Sequence, residues 1–260
     1  MAMLFDTHAH LLDRRFDRDR EGLIAGLAQR GVGLVVNVGC ERKEFDPCLE
    51  LARRYDFIHT AVGVHPHYAK DFSPGDLDWI REARAAGELV ALGEIGLDYH
   101  YDFSPRDVQK KCFEQQMQCA NELEMPVILH VREAFGDMMP LLRRYKAPYG
   151  GVLHCFSGSL EIALECVALG FHISFAGPLT FEKSVKLRRV ASNLPKERVL
   201  IETDCPYLAP VPMRGKRNDP GLVYYVAREL AALWEMQTEQ AIEITQRNGR
   251  ELFRMGEGLN

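Results

Sequence analysis

A chain of 260 residues, 47% of them hydrophobic, holds enough apolar material for one large core and has no disorder-prone composition. Its formal net charge of -5 excludes a broad basic surface that grips nucleic acid through many phosphate contacts, but leaves room for a small site charged by bound metal. Seven scattered cysteines (Cys40, Cys48, Cys112, Cys119, Cys155, Cys166, Cys205) without a C-x-x-C pair suit buried thiols in a reducing compartment. There is no leader-like N-terminus and no run near the roughly 18 apolar residues of a membrane span, so the expectation is a soluble, cytoplasmic protein with no membrane partner.

Taken in order, eight short apolar runs read as strands: "MLFDTH" from 3, "GLVVNVG" from 33, "IHTAVGVH" from 58, "LVALGEIG" from 89, "PVILHV" from 126, "GVLHCF" from 151, "HISFAG" from 172 and "RVLIETD" from 198. Most are apolar at consecutive positions, as parallel strands covered on both faces require. Helical stretches lie between them. Ser73 is expected to cap one, with Pro74 at its first position; Ser104 and Pro105 repeat the device, and two later helices start from Ser159 and Thr238. Strand then helix, eight times in about 250 residues, predicts an α/β fold of the (β/α)8 TIM barrel type, one domain over 1–260. A doubly wound open sheet is the competing architecture.

Barrel enzymes work at the C-terminal ends of their strands, so polar residues that close an apolar run carry the most information. They are His8 and His10 on strand 1, His65 on strand 3, Glu94 on strand 4, His130 on strand 5, His154 on strand 6, and Glu202 and Asp204 on strand 8. His8 and His10 share a strand face with Asp6 and are spaced to grip one ion, although an H-x-H pair alone also describes two solvated imidazoles. Five of nine histidines closing strands is hard to explain by packing. Imidazole with carboxylate suits Zn or Mn, while Mg prefers oxygen ligands. Four of these histidines with two of the carboxylates already exceed one tetrahedral site and match two metals that share a carboxylate.

The motifs "DTHAH" (6–10), "GVHPH" (63–67), "GEIGLDYH" (93–100), "PVILHVRE" (126–133), "HCFSGS" (154–159), "ETDCPYLAP" (202–210) and "RNGRELF" (247–253), in this order, resemble the TatD family of metal-dependent deoxyribonucleases, from end to end of the chain. The resemblance implies a barrel of the metal-dependent hydrolase type with two divalent ions (Zn, Mn or Mg). His8, His10 and Asp204 would hold one, His130 and His154 the other, and Glu94 would bridge them. It also implies DNA as substrate; a deep barrel-mouth site with no broad basic track is expected to take single strands or ends, and Asp204 is expected to accept the proton of the attacking water.

His65, outside the six ligands, is either a group that steadies the phosphate or protonates the leaving oxygen, or a support for a ligand. Arg132, two residues past His130, is either a phosphate fork or half of a surface salt bridge. Asp6 and Glu202 are expected to orient ligand histidines. The loop "MRGKRNDP" (213–220), with Asn218, is the candidate backbone contact, or a solvated loop. His59 and His172 begin their strands and belong to the far face. Hydrolysis of another ester or amide, such as an aminoacyl-tRNA ester or a small phosphoester, and a non-catalytic metal-bound scaffold are the competing functions. A monomer is compatible with the sequence, which does not set the oligomeric state.

Overall fold

The structure, a computed structural model, describes residues 3–256. Eight parallel strands form one sheet in chain order: β1 (Leu4–Ala9), β2 (Val32–Gly39), β3 (Ile58–Val62), β4 (Leu89–Asp98), β5 (Val127–Arg132), β6 (Gly151–Leu153), β7 (His172–Phe175) and β8 (Val199–Ile201). Past the end of β8 the chain returns to β1, where Ala9 bridges Cys205 and the His10 amide donates to the Cys205 carbonyl at 2.9 Å. The sheet is thereby drawn into a barrel, as the strand–helix alternation predicts.

A helix follows each strand: α1 (Arg20–Ala25), α2 (Arg42–Arg54), α3 (Pro74–Ala85), α4 (Arg106–Glu122), α5 (Phe135–Tyr145), α6 (Leu160–Ala168), α7 (Val185–Asn193) and α8 (Val223–Leu233), with α9 (Thr238–Leu252) closing the chain. The strands are buried on both faces, which is why they read as continuous apolar runs. One apolar layer lies between sheet and helices. A second fills the barrel, where Leu34, Val36, Ala61, Ala91, Ile128 and Val152 meet. At Gly249 of α9 an added Cβ would come within 2.7 Å of the Phe5 ring, so glycine lets this helix press on β1.

Three expected helix starts hold and one shifts. Asp76 accepts from the Ser73 amide at 2.8 Å at the start of α3, and Ser159 accepts from the Ile162 amide at 3.3 Å. At α4 the cap is Pro105, not Ser104. The Ser104 hydroxyl is buried and committed elsewhere, donating to the His67 carbonyl and accepting from the Lys70 amide. α9 begins at Thr238 as expected, with Gln237 as its cap. All seven cysteines are free thiols. No helix among the described residues is long and apolar enough to cross a membrane.

Candidate metal centre

Alternation along the strands sets the site one layer above the apolar floor. Ile128 and Val152 belong to that floor, and two residues further on β5 and just beyond β6 come His130 and His154. β4 departs from expectation: it does not end at Glu94 but runs to Asp98, and its register against β5 shifts between Leu92 and Ile95, which brackets Glu94. A Cβ on Gly96 would strike the His130 carbonyl, so only glycine allows the close passage of β4 beside β5. Asp204 lies beyond β8 in a left-handed conformation (φ 55°), held by its amide donating to the His8 carbonyl at 3.0 Å.

The six expected ligands come together at a cavity of about 520 Å³ at the C-terminal mouth of the barrel, with His8, His10, His130 and His154 facing the two oxygens of Glu94. Around Oε2, His8 Nε2 and His10 Nε2 are 3.1 Å apart and lie 3.4 and 3.7 Å from the carboxylate oxygen. Asp204 Oδ1 completes this cluster, 3.8 Å from His8 Nε2 and 3.3 Å from His10 Nε2. Metal bonds of about 2.1 Å give a tetrahedron with edges of about 3.4 Å, so these atoms are spaced as the corners of one coordination shell. Around Oε1, His130 Nδ1 and His154 Nε2 each lie at 2.7 Å and are 3.1 Å from one another, with His65 Nε2 at 3.4 Å.

Hydrogen accounting shows why a cation belongs here. His130 Nε2 lies 3.1 Å from Asp98 Oδ2, His154 Nδ1 3.3 Å from Glu202 Oε1, and His10 Nδ1 3.3 Å from the Val38 carbonyl. Each of those partners accepts, so each ring spends its hydrogen there and a neutral imidazole turns a bare lone pair toward Glu94 or Asp204. The His8 Nδ1 is buried without a partner among the described residues. Acceptors facing acceptors need a proton or a metal between them, and the donor set of imidazole and carboxylate suits Zn or Mn.

The charge balance agrees. Burial alone would raise the Glu94 carboxyl, but His154, His65 and His130 hold it well below the usual carboxylate range. Asp204 is likewise lowered against burial, by its bond to His10. Burial opposes protonation of His10 and is outweighed by Asp204 and Glu94, which lift it to about 9. Burial pulls His65 down to about 3, and its Nδ1 accepts from the His67 amide at 3.1 Å. His65 is therefore a neutral ring whose Nε2 carries the hydrogen.

The remaining predicted residues divide. Glu202 meets the ring of His154 and also accepts from the Cys155 amide at 2.7 Å, as expected of a residue that orients a ligand. Asp6 touches no ligand ring. It accepts from the Thr203 amide (2.8 Å) and hydroxyl (2.5 Å), so it orients the site through the backbone by tying β1 to the segment after β8. Arg132 lines the cavity and makes no salt bridge among the described residues.

Asn218 corrects the sequence reading. It is fully buried, with its amide donating to the carbonyls of Thr203 (2.9 Å) and Tyr207 (2.7 Å), which commits it to holding the loop. The neighbouring Arg217 is paired with Asp19 at 2.6 Å. His59 and His172 lie at the N-terminal starts of β3 and β7, as expected.

Sequence reasoning missed Asp98, His67 and Cys40. Asp98 Oδ2 faces both His130 Nε2 and His67 Nε2, the latter at 2.9 Å. Its signal was the alternation Glu94, Gly96, Asp98 along β4. Cys40, at the end of β2, puts its Sγ 3.5 Å from Glu94 Oε2.

Comparison with known proteins agrees with this geometry. A family model described as TatD related DNase matches residues 5–254. The chain is 45% identical over 254 residues to an uncharacterized metal-dependent hydrolase, YabD, of Bacillus subtilis, covering 97% of this chain and 100% of that protein. It is 34% identical to the 3'-5' ssDNA/RNA exonuclease TatD of Salmonella typhimurium over 96% of this chain and 98% of that one. The crystal structure of the TatD homologue YjjV from Escherichia coli superposes with a TM-score of 0.92 at 31% identity, covering 98% of this chain and 99% of that chain. Fold and donor set thus define a metal-dependent hydrolase built on a (β/α)8 barrel. Within that class, the chain belongs to the TatD family.

Proposed function

We propose that this protein is a two-metal deoxyribonuclease of the cytoplasm that hydrolyses phosphodiester bonds at or near the ends of single-stranded DNA. The observation that carries the reading is the convergence of His8, His10, His130 and His154 on the two oxygens of Glu94, with Asp204 joined to the first pair, at the floor of an open cavity. His8, His10 and Asp204 would hold one ion with Oε2, and His130 and His154 the other with Oε1. Divalent ions held there lower the pKa of a water and offset charge on the phosphate oxygens.

The side chains do the rest. Asp204, ionised by its surroundings, takes the proton of the water that attacks phosphorus in line, and the opposite oxygen leaves. His65, neutral with hydrogen on Nε2, donates to the phosphate and steadies it, which favours positioning over proton delivery to the leaving group. Arg132, with no carboxylate partner among the described residues, offers its two-pronged guanidinium to a phosphate nearer the mouth. The ligating atoms lie deep, with Glu94 and His8 buried, so a flexible strand end reaches them more readily than a duplex does. The name of the Salmonella relative, a single-strand exonuclease, supports the substrate class.

The test is metal analysis of the purified protein together with digestion of 5'-labelled and 3'-labelled single strands, with and without chelator. An aminoacyl-tRNA ester and a small phosphoester are run beside them. Two equivalents of divalent metal and chelator-sensitive shortening of DNA are expected. Chelator-insensitive cleavage would refute the mechanism, and turnover of the comparison esters alone would refute the substrate.

A further inference from the structure

The mouth of the cavity carries large aromatic side chains that burial does not explain. Tyr101 and Phe103, between β4 and α4, are 48% and 57% exposed, yet their rings stack with centroids 5.2 Å apart and planes 8° from parallel. His67 supports both edge-on, at 5.5 and 4.8 Å, and is itself fixed on Asp98. Through Asp98 Oδ2, which also meets His130 Nε2 at 3.1 Å, that imidazole links the stack to the ligand His130, whose ring lies 6.3 Å from it. Arg132 sits over the Tyr101 ring at 4.8 Å. Tyr207, 42% exposed, meets His10 edge-on at 6.2 Å, and Arg15 lies over it at 4.3 Å. Tyr101 and Tyr207 line the same cavity as the ligating atoms.

We infer that the Tyr101–Phe103 stack, with Tyr207 beside the other metal cluster, is a base-stacking platform for the nucleotides that flank the phosphate at Glu94. The inference rests on the nucleolytic reading of the centre. A strand whose phosphate lies on the floor of the cavity must lead its neighbouring bases out past the mouth, where these rings stand. Aromatic faces accept any base, and only an unpaired base offers its face, so the platform selects single strands without reading sequence. It also supplies affinity that a chain of net charge -5 cannot draw from a basic surface. Arg132, over the Tyr101 ring and lining the cavity, is placed for an adjoining phosphate, whereas Arg15 is paired with Asp13 at 3.5 Å.

The test compares the metal-loaded wild type with Phe103→Ala, Tyr101→Ala and Tyr101→Phe. The substrates are a labelled single-stranded oligonucleotide and the same strand with abasic nucleotides at both ends; metal content is measured for every variant. The alanine variants should raise KM for the intact strand about five- to a hundredfold, with kcat and metal content unchanged. Tyr101→Phe should retain the wild-type KM. On the abasic strand, wild type and variants should share one elevated KM. An unchanged KM in both alanine variants, or an equal further rise on the abasic strand, overturns the platform. Failure of the wild type to cleave either strand is a different result: it removes the nucleolytic reading, and the platform with it.

Discussion

Asp98→Asn removes one charge and no volume, and it tests the hydrogen accounting at the metal centre. In the native protein Asp98 Oδ1 accepts from the amides of His100 and Tyr101 at 2.9 and 3.0 Å, while Oδ2 accepts from His67 Nε2 and His130 Nε2 at 2.9 and 3.1 Å. Burial would raise this carboxyl, but the bonds from His130 and His67 hold it far below the carboxylate range, so all four partners are donors to an ionised group. Asparagine brings one acceptor and one donor. With its oxygen kept on the two amides, its NH2 faces both rings, and His130 must move its hydrogen to Nδ1, the atom 2.7 Å from Glu94 Oε1. A metal then competes with a proton for that lone pair.

Loss of a group that orients a ligand weakens metal binding about 10- to 100-fold, or about 1.4–2.7 kcal/mol. The cluster of His8, His10 and Asp204 makes no contact with Asp98 and should keep its affinity. Stripped protein titrated with Zn against a chromogenic chelator should show two binding steps, of which only one is weakened in the variant. Two wild-type steps, or weakening confined to the step that His10→Ala abolishes, would refute the tautomer argument.

Three further outcomes follow from the same geometry. His10→Ala should lower the metal content by one ion per chain, because His130 and His154 remain; loss of both ions or of neither contradicts the division around Glu94. Asn218→Ala leaves the carbonyls of Thr203 and Tyr207 without their buried donor, a loss of about 1–3 kcal/mol for each. A lower urea midpoint with an unchanged oligonucleotide KM is expected, and a raised KM at unchanged stability would return Asn218 to the substrate. In metal-free protein the His10 pKa is raised from 6.5 to about 9, so its stabilising proton is fully bound below pH 6.5 and is lost as pH rises through 9. His130 and His154 are raised too and act in the same sense. The melting temperature of chelated protein should therefore fall over that window and be restored by added divalent metal; a flat profile in both states would contradict the accounting.

What was legible in the chain was whatever one strand expresses by itself. Ile128 followed by His130, or Val152 by His154, states in three residues that an apolar layer ends and a polar one begins. The resemblance then divided the ligands into two groups, and the structure brings those groups to opposite oxygens of one carboxylate. What was hidden depends on partners far away in sequence. Ser104 has the local form of a helix cap, but its hydroxyl bonds the segment at His67 and Lys70. Asp6 shares its spacing with His8, yet its bonds go to Thr203, 197 residues away. Asn218 lies among arginines and a lysine and reads as surface, whereas the two carbonyls that bury it belong to a turn no local pattern describes.

The net charge fits the proposed substrate only through the metals. Glu94, Glu202, Asp204 and Asp98 lie in or beside the cavity, and the first of these is held ionised by the surrounding histidines. Without cations such a pocket repels a phosphate at short range, where little water screens it. Two divalent ions held there would reverse its sign locally while the chain as a whole keeps its formal charge of -5, so a phosphodiester would be attracted chiefly once within the mouth. Long stretches of duplex would then find little positive charge to follow, whereas an unpaired end would find the proposed aromatic faces at the mouth and cations on the floor. On the proposed function, selectivity for strand ends would follow from where positive charge is absent as much as from where it is supplied.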